Sequence, residues 1–239
     1  MGDVKKDNRT DSDDSLNLFS PMEDAIDLSI QHEYFNLSKT IDIENVDYKE
    51  VLKESKNIFS QNIPLEAKKR ILILLAHFGT AESYRILETY LKSSERNLRD
   101  WTLLSLKECR MFLESALLEE EAGFISTGLG GKGNKLRYYF IVSTRGDLTF
   151  SETQMEILKR EFGAITKKYS SEIEEIDIEA NYAMIRVLIP IDVAIGEVIE
   201  GGINECNKIE EFLLFHYYVT NVEKPTSEEI LKYFEEIRH

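Results

Sequence analysis

Cysteine is scarce in this 239-residue chain: Cys109 and Cys206 stand far apart and form no CxxC pair. That excludes a disulfide framework and leaves two buried free thiols in a reducing, cytoplasmic setting as the expectation. Histidine is as sparse. His32, His77, His216 and His239 follow no HExxH or i, i+4 spacing, so neither a metal nor any other cofactor is expected. Long apolar runs are missing too. The longest, around Ile71 to Ala76, is far too short to cross a membrane. The opening residues MGDVKKDNRTDSDDS have no apolar centre for a signal peptide, and Lys6 stands where N-myristoylation needs Ser or Thr.

Positive charge is in deficit, with 29 Lys and Arg against 44 Asp and Glu, a net charge of -15 that disfavours indiscriminate attraction to nucleic acid or anionic membrane. Catalytic patterns are absent as well. Ser126, Ser143 and Ser151 lack a GxSxG elbow, and the acidic clusters Glu119 to Glu121 and Glu174–Glu175 read as solvated faces. No catalytic, cofactor-binding or metal-binding residue is predicted, and the chain is expected not to be an enzyme.

What is present suffices for folded cores, since 42% of the residues are apolar and 10% aromatic. Residues 1–20 are too polar to offset their ordering entropy and read as a disordered tail. Residues 21–122 read as helical, opening with Ser20 as N-cap and Pro21 at the first helical position. A helix after Pro64 is apolar around most of its second half (Ile71, Leu72, Leu74, Leu75, Phe78), as a helix sandwiched between neighbours is. Gly79 ends it as a left-handed cap and Thr80 caps the next helix, with Tyr84, Leu87, Tyr90 and Leu91 in one stripe. A helix from Asn97 then carries Leu98, Trp101, Leu104 and Leu106.

Three features of Lys68 to Arg110 carry a family resemblance: Ala76…Phe78-Gly79, the pair Leu87/Leu91, and Arg99 two residues before Trp101. The segment resembles the HEAT-type repeat over about 45 residues. The resemblance implies a short stack of antiparallel helix pairs, each covering its neighbour.

The glycine-rich FISTGLGGKGNK is a break that no continuous helix survives, so residues 123–135 read as a linker. Residues 136–239 read as strand, helix, strand, strand, helix, strand, helix. The order βαββαβ resembles the ferredoxin-like fold, an antiparallel sheet with two helices on one face. The expected class is therefore α+β: a short HEAT-like helix stack, then a ferredoxin-like sandwich with a C-terminal helix.

Two functions from different classes follow. The main expectation is a non-catalytic protein-interaction or scaffold protein that binds a protein partner or self-associates through an open sheet face. In one register that face exposes Arg137, Tyr139, Met184, Arg186, His216 and Tyr218, while Tyr138, Phe140, Ile185 and Val187 face the helices; the terminal helix is the alternative cover. The second expectation is binding of RNA or an anionic ligand by the basic Gly-rich loop and the first helix of the α+β part. Between Lys132 and Lys168 eight cations face four acids. The loop is neither GxxxxGK[ST] nor the opening of a helix, so it fits no nucleotide fingerprint. The candidate partner- or anion-binding residues are Lys132, Lys135, Arg137, Tyr139, Arg186, His216 and Tyr218. An enzymatic reading would need a pocket around Trp101, Arg110 and the glycine loop.

Overall fold

The computed structural model describes residues 19–118 and 123–238. The expected tail at 1–20 therefore lies outside the described residues except for its last two, and so do Glu119 to Glu121 and His239.

Pro21 does not open a helix. It ends a short strand β1 (Phe19–Pro21), which pairs in parallel with β2 (Gly123–Ile125). The Met22 amide continues the pairing by donating to the Ile125 carbonyl at 2.9 Å. Helix α1 (Leu28–Lys39) begins only after Asp27, whose carboxylate accepts the Ser29 amide. The cap residue, rather than the proline, sets this start.

Four more helices complete the first part: α2 (Tyr48–Ser55), α3 (Leu65–Phe78), α4 (Ala81–Ser93) and α5 (Arg99–Leu118). Helix α3 is buried at every position from Ile71 to Ala76, enclosed by α2, α4 and α5. Gly79 adopts φ +54° and closes α3, and the Thr80 hydroxyl accepts the Ser83 amide at 3.1 Å to start α4. Trp101, Tyr34 and Leu104 fill the centre of this helical core.

The second part is a mixed layer. A two-residue strand β3 (Gly131–Lys132) forms a hairpin with the start of β4 (Lys135–Thr144). Then follow α6 (Glu152–Lys168), β5 (Glu172–Ile178), β6 (Tyr182–Pro190), α7 (Ile195–Ile209), β7 (Leu213–Thr220) and α8 (Ser227–Arg238). Strand β4 lies between β7 and β6, and β5 pairs on the far side of β6, all antiparallel. The order β7-β4-β6-β5 is that of a ferredoxin-like sheet, and the chain is α+β as expected.

The two-residue period of a strand separates the faces. Phe140, Val142, Ile185 and Val187 pack under α6 and α7 with Phe162, Ile199 and Ile203. Tyr139, Ile141 and Met184 point the other way, onto Ile230 and Phe234 of α8. The anticipated register holds, but the anticipated open face is covered. Ile230 and Phe234 bury themselves on it, and the Tyr233 hydroxyl donates to the Tyr217 carbonyl at 2.7 Å.

Candidate nucleic-acid interface

The glycine-rich segment carries the first test. A Cβ on Gly128 would lie 1.8 Å from the Val222 carbonyl oxygen, and one on Gly130 2.6 Å from that of Glu23. These glycines allow the backbone to approach two other segments closely; they are not there for slack. Their neighbours' amides are also spent. The Leu129 amide donates to the Asn221 carbonyl and that of Gly130 to the Thr127 carbonyl, while the Gly133 amide meets the Glu23 carboxylate at 3.4 Å. The backbone donors that would cradle an anion are thus largely occupied within the protein.

Of the seven predicted residues the structure brings together Arg137, Arg186 and Tyr139, the two arginines sharing Glu174 and Arg186 donating to the Tyr139 hydroxyl at 3.3 Å, but not all seven. Lys132 is exposed at the hairpin. The Lys135 ammonium reaches Glu172 at 2.8 Å. Arg137 grips Glu174 with two parallel bonds of 2.7 and 3.0 Å, and its third nitrogen donates to the Leu129 carbonyl. Arg186 lies 3.1 Å from both Glu174 and Glu175, although its Nε is not aligned for a hydrogen bond. Tyr139 is buried under α8, and Tyr218 stacks edge-on to Tyr233 at 5.2 Å. His216 stands exposed on the edge strand β7.

The acids responsible come from β5, across the intervening strand β6. The register of β5 on β6 shifts between Ile173 and Glu175, so Glu174 is an extra residue whose carboxylate turns towards Arg137 and Arg186. The hydrogen bond from Arg137, then its charge, hold Glu174 below the usual carboxylate range, and Lys135 does the same for Glu172.

Cations free of this neutralisation lie on α6. Ser151 starts the helix with a reciprocal capping box to Gln154. Ile157, Leu158, Phe162 and Ile165 face the sheet, which leaves Lys159, Arg160, Ala164, Lys167 and Lys168 exposed on the far side. Between them a Cβ on Gly163 would meet nothing within 4 Å. Arg160 pairs with Glu161, and the Lys168 ammonium sits 5.1 Å over the Tyr169 ring. Among the described residues Lys132, Lys159, Lys167 and Lys168 make no ion pair. Lys167 and Lys168 also offset the negative end of the helix.

Two clefts flank the hairpin and share Asn134. One, of about 470 Å³, holds Lys135, Lys168 and Tyr169 at the end of α6. The other, of about 560 Å³, lies against α5 and holds Lys107 and Arg110 beside Gly133. A pocket does therefore form at Arg110 and the glycine loop, while Trp101 stays in the helical core. Burial, and then the neighbouring Arg110, push the Lys107 ammonium below its ordinary pKa. Lys107 was missed because it reads as an ordinary polar position on an amphipathic helix.

A polar cluster inside the helical core also escaped the sequence reading. The Tyr34 hydroxyl donates to Glu108 at 2.6 Å, and His77 Nε2 lies 2.8 Å from Ser38 Oγ and 3.6 Å from Glu108. Burial first, and then the Glu108 charge, push the Tyr34 phenol well above its ordinary value. Serine and carboxylate meet the same ring nitrogen. The imidazole is therefore not oriented through one nitrogen to act as a base through the other, as a catalytic triad requires. The cluster ties α1, α3 and α5 together.

Among the described residues no group of three or more His, Cys, Asp and Glu side chains could hold a metal ion, and no helix is long and apolar enough to cross a membrane. No family model matches the chain, and no curated protein matches it. Solved structures do. A provisionally assigned transposase from Deinococcus radiodurans R1 is 16% identical over 43% of this chain and 90% of its own, with a TM-score of 0.38. A REP-associated tyrosine transposase bound to a REP hairpin is 12% identical over 43% of this chain and 67% of its own, with a TM-score of 0.33. Both neighbours are named as transposases, which are enzymes. That finding stands against the expectations of a non-catalytic protein-interaction or scaffold protein and of no enzymatic activity, and both are withdrawn.

Proposed function

We propose that this protein binds nucleic acid, RNA or DNA, along the exposed face of α6 and the neighbouring hairpin. One observation carries the reading: Lys159, Lys167 and Lys168 project around the bare backbone at Gly163 and Ala164, unpaired with any acid, in a chain of net charge -15. Elsewhere in the basic window Lys135, Arg137 and Arg145 pair with Glu172, Glu174 and Glu211, and on α6 Arg160 pairs with Glu161; the three lysines are left. Small residues between lysines let a phosphate backbone approach the helix closely, and Tyr169 beside Lys168 offers a ring for a base. Of the two elements expected to bind, the Gly-rich loop and α6, the reading rests on the helix, because the loop's amides and Arg137 are already engaged.

Fluorescence anisotropy with labelled RNA and DNA oligonucleotides, titrated across salt concentrations, tests this. The triple variant Lys159→Glu, Lys167→Glu, Lys168→Glu is expected to bind more than about tenfold more weakly at low salt. Its log–log salt slope should shrink by about 2, at ~0.7 per lost cation on a single strand. Equal affinity and equal slope in wild type and variant would refute the reading.

A further inference from the structure

The cationic surface does not end at α6. Asn134 lines both clefts beside the hairpin, so the surface runs from Lys168 and Tyr169, past exposed Lys132, into the larger cleft with Lys107 and Arg110. There it changes character. Leu103 and Leu106 of α5, Tyr84 of α4, and Glu23 and Asp24 line the cleft as well.

We infer that this cleft receives the terminal, phosphate-bearing nucleotide of a bound strand; the inference rests on the nucleic-acid reading above. Three features point to an end rather than to a continuing chain. The volume of about 560 Å³ falls within the ~300–1,000 Å³ of small-ligand pockets, room for a nucleotide and not for a strand passing through. Lys107 and Arg110 stand one helical turn apart and face the cleft together, matching the nearly doubled charge of a terminal phosphomonoester, about -1.5 to -2 at neutral pH. Glu23 and Asp24 line the same cleft, so two cations there are matched to one phosphate group and a further phosphodiester would meet acids. Arg110 would exchange its exposed partner Glu114, one turn further along α5, for the phosphate. Tyr84 supplies a ring on which the terminal base can stack.

Oligonucleotides of one sequence distinguish the possibilities: 5′-phosphorylated, 3′-phosphorylated, unphosphorylated and circular forms, each titrated by anisotropy. One phosphorylated linear form is expected to bind about tenfold tighter than the circle, the scale of one charge-assisted contact. The double variant Lys107→Ala, Arg110→Ala should lose that preference while keeping the affinity for the circle. If linear and circular forms bind wild type alike, the end-binding inference is wrong and the α6 reading stands. If no form binds, the α6 reading fails, and the cleft is then judged by a nucleoside monophosphate alone. Thermal stabilisation of wild type but not of the double variant would keep the cleft as a phosphate site, and no stabilisation of either would remove it.

Discussion

Gly202 of α7 rests against the ring of Phe162 in α6, so closely that a Cβ at Gly202 would fall 2.2 Å from the ring edge. This contact sets the spacing of the two helices on the sheet. Gly202→Ala is expected to force Phe162, itself fully buried, out of its place and to cost ~1–3 kcal/mol. Gly163, one residue after Phe162, has open space around it, and Gly163→Ala should stabilise by ~0.5–1 kcal/mol through helix propensity alone. Urea denaturation of both variants checks the opposite signs; a loss of stability at Gly163 would mean that its surface is not open.

Removing an acid from β5 should strengthen nucleic-acid binding. Glu172→Gln releases Lys135, which lies beside the Lys168 cleft. The expected result is tighter binding, with the salt slope steeper by about 0.7. Acidification acts in the same direction. Lys135 and Arg137 depress Glu172 and Glu174, so the ion pairs persist above the ordinary carboxylate pKa of about 4.3 and dissolve as pH falls below it. Anisotropy followed from pH 7 to below about pH 4 should show binding rise in wild type only at the acid end and stay flatter in the Gln variant.

The two cysteines report on unfolding. Burial, the leading cause for both, raises Cys109 to about 11 and Cys206 to about 12. The native thiols should therefore resist a thiol reagent at pH 8 and react at the rate at which the structure opens. Because the folded-state values exceed the unfolded value near 8.5, these groups favour the native state below pH 8.5. That contribution is lost as pH rises through 11 to 12. Labelling as fast in buffer as in urea would contradict the burial of both.

Phe234 closes the sheet face that the sequence left open. Its truncation in Phe234→Ala removes a side chain that is 3% exposed and uncovers Tyr139, Ile141 and Met184. A destabilisation of ~3–5 kcal/mol is expected, with increased binding of a hydrophobic dye at temperatures below the melting transition. Unchanged stability would show that α8 lies loosely on the sheet.

Most of the architecture was legible because it is local. Gly79 and Thr80 mark a helix junction by cap chemistry, and alternation along Leu136 to Thr144 fixed the two faces of β4. The misplaced start of α1 shows the limit. Pro21 is compatible with a helix's first turn and with a strand's end, and only the distant Ile125 carbonyl decides between them. The candidate site was less legible for the same reason. Arg137 meets Glu174 from 37 positions away, through a register shift on β5 that no residue pattern announces. A count of charges along the chain therefore found the basic window but not the acids that cancel half of it. What survives of that window is the α6 face, whose lysines are spaced by the helix itself.

The short pairing of β1 with β2 has a topological consequence. Phe19 sits beside Gly123, so the chain leaves for the five helices and returns to a point roughly 8 Å from where it left. The helical part is in that sense a closed excursion, held at its base by this three-residue pairing, by Phe124 in the helical core and by the Gln31 amide on the Thr127 carbonyl. Because the two strands are parallel, any replacement joining Pro21 to Gly123 must be a crossover of about a dozen residues or more, and helices of another length could be spliced in at the same two residues.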